Sequence, residues 1–404
     1  MVLFYINLYI ISFFLFLKIQ TNEEITLKLN IENGKYGTFL KLYNTNPSDH
    51  KEHYAQINLR DELTFLFIQP ISYLHHYAKA ATDMNEDFYE GYLVSYSINA
   101  GILLDNNISS RIDIFGTDFR SGKDYIRGLC FGYHYYQLNQ SLTHQLYKEN
   151  QIHKLSFTFH PGEGFTTMNK LYKPNGKIYF GDIPYHLIRN KLSSSCKVQS
   201  TKVWDCFMSK MYIRHNNNKI VVNFNLNTQI GFNSYYGWTF ATKDFMEYLE
   251  DNIFKDLMIN KFCWKEQKDK IKGIMCGYMI DINMFNEMEI VFVIDNYEYK
   301  QKISEMFVPY DNGLMFEIVY PENMLSKGEW ILGGYFLQRY ITTFDYENKM
   351  ITFYNLEEEH NSKYNSNSGL IFKCMYVNMI LLGCSVLLLN FFSKANVVND
   401  VVIS

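Results

Sequence analysis

Residues 330–354 read W-I-L-G-G-Y-F-L-Q-R-Y-I-T-T-F-D-Y-E-N-K-M-I-T-F-Y, and no other stretch constrains the fold as tightly. The run is long and ordered, so chance is a poor explanation for it. It closes a body in which, from Glu24 onward, short apolar stretches alternate with turn-formers and helical periods are few. Tyr (33) and Phe (32) are abundant and Pro (7) is scarce, as a strand-rich fold requires. With 404 residues the chain is long enough for two lobes with separate cores. Its formal net charge of −4 leaves no electrostatic footprint for nucleic acid.

Both ends are apolar. Leu3 to Leu17 is interrupted only by Asn7 and Ser12; it is short for a bilayer span and matches a signal-peptide core, so residues 1–21 are expected to be a signal peptide. Counted from Leu370, the second run reaches Phe392 and is long enough for a transmembrane helix, with Lys373 and Lys394 near its ends. Residues 357–369 before it, rich in Asn and Ser, form a flexible linker, and 393–404 a short cytoplasmic tail. Lipid attachment at a small residue such as Ser362 is the alternative, disfavoured by the polar end after Phe392. These ends describe a single-pass membrane protein of the secretory pathway with a lumenal or extracellular body.

That compartment is oxidising. The body holds Cys130, Cys196, Cys206, Cys263 and Cys276. Cys196 with Cys206, and Cys263 with Cys276, are close enough for local bridges between neighbouring strands, which leaves Cys130 odd; spacing does not fix the connectivity, and buried free thiols are the alternative. Asn107-Ile-Ser and Asn139-Gln-Ser are N-glycosylation sequons. No metal-ligand spacing occurs, and no cofactor is implied. His134, His144 and His153 lack ligand logic, and nothing like G-x-S-x-G supports Ser-His-Asp chemistry.

The 330–354 run resembles the last strands of pepsin-like aspartic proteases, where a Trp-Ile-Leu-Gly turn precedes an aromatic strand, Phe-Asp-Tyr and a closing strand. The family order can be followed back through the chain. Lys35 to Leu40 is similar to the opening strand, and Ala100 to Asp105 to the strand that returns from the flap. Gly128 to Tyr133 stands in the place of Gly-Ile-Leu-Gly-Leu-Gly-Tyr. Ser141 to Ile152 resembles a short helix, and Leu155 to Phe159 and Gly176 to Asp182 resemble the strands that end the first lobe. Trp204 to Ile213, the helical spacing of Thr242 to Ile253, and Glu289 to Ile294 continue the match. The resemblance implies an all-β, bilobal pepsin-like fold with short helices and the C-terminal transmembrane helix. Its lobes would be 22–185 and 186–356.

That family hydrolyses peptides with two carboxylates sharing a proton, one from each Asp-Thr/Ser-Gly loop. Both loops are degraded here. In the first lobe, counting from Tyr54 places the catalytic position at Leu59, and counting back from Phe67-Ile68 places it at Arg60. Asp61 is a fallback acid followed by Glu62-Leu63. In the second, Ile230-Gly231-Phe232-Asn233-Ser234 aligns with Ile/Val-Asp-Thr-Gly-Thr, which puts Gly231 at the catalytic position. No Asp or Glu occurs between Cys206 and Lys243, so no local realignment restores an acid. Loss of one member of a cooperating set costs on the order of 10³-fold or more in rate.

The expectation is therefore a catalytically inactive, membrane-anchored pseudo-protease that keeps a groove for a peptide or protein ligand. Tyr92 and Tyr96 would line it from the flap, and Gly231, Asn233 and Ser234 from below. In a chain this rich in tyrosine, the first reading of Tyr92 and Tyr96 is as sheet-packing strand aromatics. The alternatives are an active aspartic endopeptidase with a displaced catalytic pair and a structural surface protein.

Overall fold

The computed structural model describes residues 24–43, 45–59, 65–66, 78–79, 94–105, 108–118, 128–130, 141–162, 172–200, 203–215, 220–268, 270–322 and 329–356. The expected signal peptide, linker, transmembrane helix and tail lie outside these residues, as do Arg60, Asp61, Tyr92, Asn107 and Asn139. No helix among the described residues is long and apolar enough to cross a membrane. The chain up to Glu358 forms one compact unit.

Two sheets of thirteen and eleven strands build that unit. In the larger, the first strand, Ile25–Glu32, pairs antiparallel with Tyr172–Phe180, which pairs with Ser156–His160. Tyr340–Asp345 then adds to Ser156–His160, followed by Met350–Asn355 and Ser193–Lys197. Strands from both ends of the body thus share one sheet. The closing motif forms as its sequence requires: strand Trp330–Leu332, a helical turn Gly334–Leu337, and the pair Tyr340–Asp345 and Met350–Asn355.

Aromatic packing drives this closure. Phe344 stacks on Phe157 with centroids 4.8 Å apart, and Trp204 meets Phe344 and Tyr346 edge-on at 5.1 and 4.8 Å. Phe157, Trp204 and Phe344 are almost fully buried. Each such side chain contributes about 1.5–3 kcal/mol by leaving water, and each ring pair roughly 0.5–1.5 kcal/mol more. Residues alternate between the two faces of a strand. Neighbouring Thr158 and Thr343, one step along from these rings, therefore turn the other way, and their hydroxyls meet at 2.8 Å.

Both expected helices form, the first where the family resemblance and the second where apolar spacing placed it. Leu142–Lys148 starts at Ser141, whose Oγ accepts the backbone N–H of His144 at 3.3 Å, a side-chain N-cap. Lys243–Tyr248 buries Phe245 and Met246 and continues as a π turn, Leu249–Ile253, that buries Leu249. Both candidate disulfides are present, Cys196–Cys206 and Cys263–Cys276. The second joins directly opposed residues of strands Cys263–Lys268 and Ile271–Gly277. Such bonds belong to a chain matured in an oxidising, secretory-type compartment.

Candidate functional site

Each half of the body contains the same strand arrangement. In the first, Lys51–Asn58 runs parallel to Gly128–Cys130, with Gln56 opposite Gly128, Ile57 opposite Leu129 and Asn58 opposite Cys130. Phe65–Leu66 returns antiparallel to Gly128 and parallel to Ser109–Asp118. In the second, Ile220–Phe232 runs parallel to Trp330–Leu332, with Gly231 opposite Ile331 and Phe232 opposite Leu332. Thr239–Phe240 returns antiparallel to Ile331 and parallel to Ile318–Pro321.

The described strands of the two motifs correspond in register. Gln56 and Phe65 share Gly128 as partner, just as Gly231 and Phe240 share Ile331. The connection has the same length in both halves, from 56 to 65 and from 231 to 240. Ile57 therefore corresponds to Phe232, Asn58 to Asn233, and Leu59 to Ser234.

Hydrogen bonds tie the loops together across the halves. The Ser234 hydroxyl donates to the carbonyl of Ile57 at 2.9 Å, and the Gln56 side-chain amide donates to the carbonyl of Tyr235 at 3.4 Å. The backbone N–H of Tyr36 donates to the carbonyl of Ser234 at 2.9 Å. Ser234 is fully buried. Beside this seam, the turn Asn33-Gly34 packs on Gly237. Gly34 has φ +72°, and a Cβ there would lie 2.5 Å from the Gly237 Cα, so both positions need glycine for the close approach.

Asn58 and Asn233 follow Ile57 and Phe232 at this seam. They occupy equivalent positions in the two halves, and both are asparagines. This register differs from the sequence expectation. Gly231 lies inside the strand, opposite both Asp205 and Ile331, two residues before the loop. A Cβ there would meet only Ile331, at 3.9 Å, so Gly231 answers no steric demand of a catalytic turn. Leu59, fully buried, occupies the position equivalent to Ser234, so only one half supplies a hydroxyl to the seam. A count along the chain does not register how far a strand continues before it turns.

Asn233 is committed to shaping its own loop. It is buried, and its backbone N–H donates to the carbonyl of Leu332 at 2.9 Å. Its Oδ1 accepts the backbone N–H groups of Tyr235 at 2.7 Å and Tyr236 at 3.3 Å, an Asx turn. The loop beyond it is aromatic. Tyr235 packs edge-on to Tyr236 at 4.8 Å, and Trp238 meets Tyr310 at 5.7 Å and Tyr335 at 5.3 Å. The Lys35 ammonium lies 5.8 Å from the Tyr235 ring.

Asp205 is an acid close to the second loop that sequence reasoning passed over. Burial pushes its carboxyl above the ordinary range, against the pull of backbone donors. Its Oδ1 accepts the N–H groups of Gln199 at 3.0 Å and Ser200 at 2.8 Å, so it caps the 199–200 loop and faces no second acid among these contacts. Among the described residues, no group of three or more His, Cys, Asp or Glu is placed to hold a metal. Tyr96 lies on the strand Val94–Leu103, opposite Gly116.

No protein-family model matches the sequence, and no curated protein matches it either. Among solved structures, the chain is similar to an aspartic proteinase from Irpex lacteus, with a TM-score of 0.60 and 13% sequence identity, over 84% of this chain and 99% of that one. At this identity the likeness establishes the fold. The chain adopts the pepsin-like fold that its closing motif resembles.

Proposed function

We propose that this pepsin-fold chain is a membrane-anchored pseudo-protease that binds a peptide or protein segment in its interlobe cleft without cleaving it. The observation that carries the reading is the pair Asn58 and Asn233 at the two equivalent loop positions. Aspartic proteolysis needs one carboxylate to activate water and a second, kept protonated by its neighbour, to polarise the scissile carbonyl. An amide neither ionises nor gives up a proton as an acid near neutral or mildly acid pH, so it fills neither role. The same pair removes a like-charge repulsion that an acidic dyad would place at the seam.

What supports retention of a cleft is the seam itself. The Ser234 to Ile57 and Gln56 to Tyr235 hydrogen bonds hold the two loops together without any acid. Tyr235, Tyr236 and Trp238 are each only partly exposed, offering ring faces and polar tips beside Asn233. Anchoring and orientation follow from the apolar ends of the sequence and agree with the two disulfides.

The test is incubation of the purified chain with an unstructured protein at acid pH, with and without a transition-state-mimicking inhibitor. No inhibitor-sensitive cleavage is expected, while the inhibitor, being peptide-like, is expected to bind. Inhibitor-sensitive cleavage would instead establish an active endopeptidase whose acids come from elsewhere, Asp61 among them. Absence of any peptide binding would leave a structural surface protein.

A further inference from the structure

Six of the fourteen large hydrophobic side chains exposed among the described residues fall between positions 259 and 284: Ile259, Phe262, Trp264, Tyr278, Met279 and Met284. Two short segments present them. One comprises the end of helix Lys255–Ile259 and the start of strand Cys263–Lys268; the other is the stretch that follows strand Ile271–Gly277. The Cys263–Cys276 disulfide clamps the two segments, and the Gly277 N–H donates to the Phe262 carbonyl at 2.9 Å. Internal bonds fix the second segment too: the Ile280 N–H donates to the Gly277 carbonyl at 3.1 Å, and the Tyr278 hydroxyl to the Asp311 carbonyl at 3.2 Å. Met279 is 94% exposed, the most of these fourteen side chains, although burying a methionine is stabilising.

We infer that this disulfide-clamped pair of segments is a membrane-docking surface, which, resting on the reading of the chain as membrane-anchored, lays the body on that bilayer. Trp, Tyr and Phe seek the boundary between headgroups and hydrocarbon, where an apolar ring is buried and a polar tip stays wet. Trp264 and Tyr278 already hold their polar atoms in hydrogen bonds, to Glu266 and Asp311, so their rings enter lipid without stranding a donor. The patch is held by covalent and backbone bonds, so little conformational freedom is lost on docking.

The sequence supplies the reason for choosing lipid over another occupant. The described body ends at Leu356 and the expected membrane span begins at Leu370. A connector of that length reaches at most about 45 Å when fully extended. The body is then confined to the bilayer surface at high effective concentration, where a weak interfacial affinity suffices. Lys255 and Lys261 border the patch, but Asp256 and Asp281 lie on the same segments. Apolar insertion, more than charge, would therefore carry the attachment, and neutral lipid should support it.

The test uses the full chain reconstituted in phosphatidylcholine vesicles and footprinted with hydroxyl radicals, wild type against Phe262→Ser/Met284→Ser. Both substituted side chains are exposed, so the variant keeps its core. Oxidation of Met279 and Trp264 is expected to be about tenfold slower in wild type than in the variant, the ratio for about 1.4 kcal/mol of docking free energy. Tyr185, 72% exposed on another element, should oxidise equally in both. Equal oxidation of Met279 in the two chains overturns the proposal. Protection that scales with the number of chains per vesicle also overturns it, in favour of self-association, as does a chain that fails to float with the vesicles.

Discussion

The Ser234 hydroxyl donates a 2.9 Å hydrogen bond to the carbonyl of Ile57, joining residues 177 positions apart in the chain. Both groups are buried, so the bond has no water to replace it. Ser234→Ala should lower stability by about 1–3 kcal/mol, the penalty for a buried acceptor left without this donor. Thermal unfolding followed by circular dichroism checks it; a melting temperature unchanged by the substitution would detach this bond from the integrity of the seam.

Asn58 and Asn233 take equivalent places in two loops that are hydrogen-bonded to each other, so acids at both places are expected to feel one another. Like-charge proximity raises one carboxyl pKa above its unfolded value. A group raised in the folded state adds stability below its unfolded pKa and loses it as pH rises through the folded pKa. Asn58→Asp/Asn233→Asp should therefore be less stable at pH 7 than at pH 4 relative to wild type, by more than the two single variants together. Urea midpoints for all four proteins at the two pH values provide the measurement. Strict additivity would separate the two positions.

His144 offers a pH dependence of opposite sign. It is 9% exposed, its Nδ1 meets the Ser141 hydroxyl at 2.7 Å, and its ring stands edge-on to Tyr346 at 4.7 Å. Burial lowers its pKa from 6.5 to about 4. A depressed folded pKa gives full stability above pH 6.5 and loses it as pH falls through that window towards 4, by on the order of 2–3 kcal/mol. His144→Gln should flatten denaturant midpoints between pH 6.5 and pH 4; an unaltered slope would assign the acid sensitivity to other groups.

Arg339 binds two acids in the second half of the body. It reaches the Glu305 carboxylate at 3.0 Å and the Glu317 carboxylate at 3.5 Å, and Glu317 is only 2% exposed. Arg339→Met removes the cation from a buried carboxylate, a loss of about 3–5 kcal/mol. Adding Glu317→Gln should restore part of it. A double variant as unstable as the single one would show that Glu317 is held by its other surroundings.

The closing run and both disulfide pairs were legible before folding because their information is local. Tyr340–Asp345 and Met350–Asn355 are neighbours in sequence, and so are the two members of each cysteine pair. The candidate site was legible only in outline. Gly231 looked like the catalytic position because Ile230-Gly231-Phe232 can be laid over a strand that turns early. The parallel pairing of Ile230 with Trp330 and of Phe232 with Leu332 carries that strand two residues further. No local pattern encodes a register held by a partner a hundred residues away.

Amino-acid content alone excluded an acid from the second loop, since a stretch without Asp or Glu has no carboxylate to offer in any register. It also dictated aromatic closure, because rings at alternating positions must be buried together. Which residues of the two loops correspond was decided by long-range strand pairing. Two distant parallel strand pairs bring Asn58 and Asn233 to equivalent places, and a serine hydroxyl locks one loop against the other.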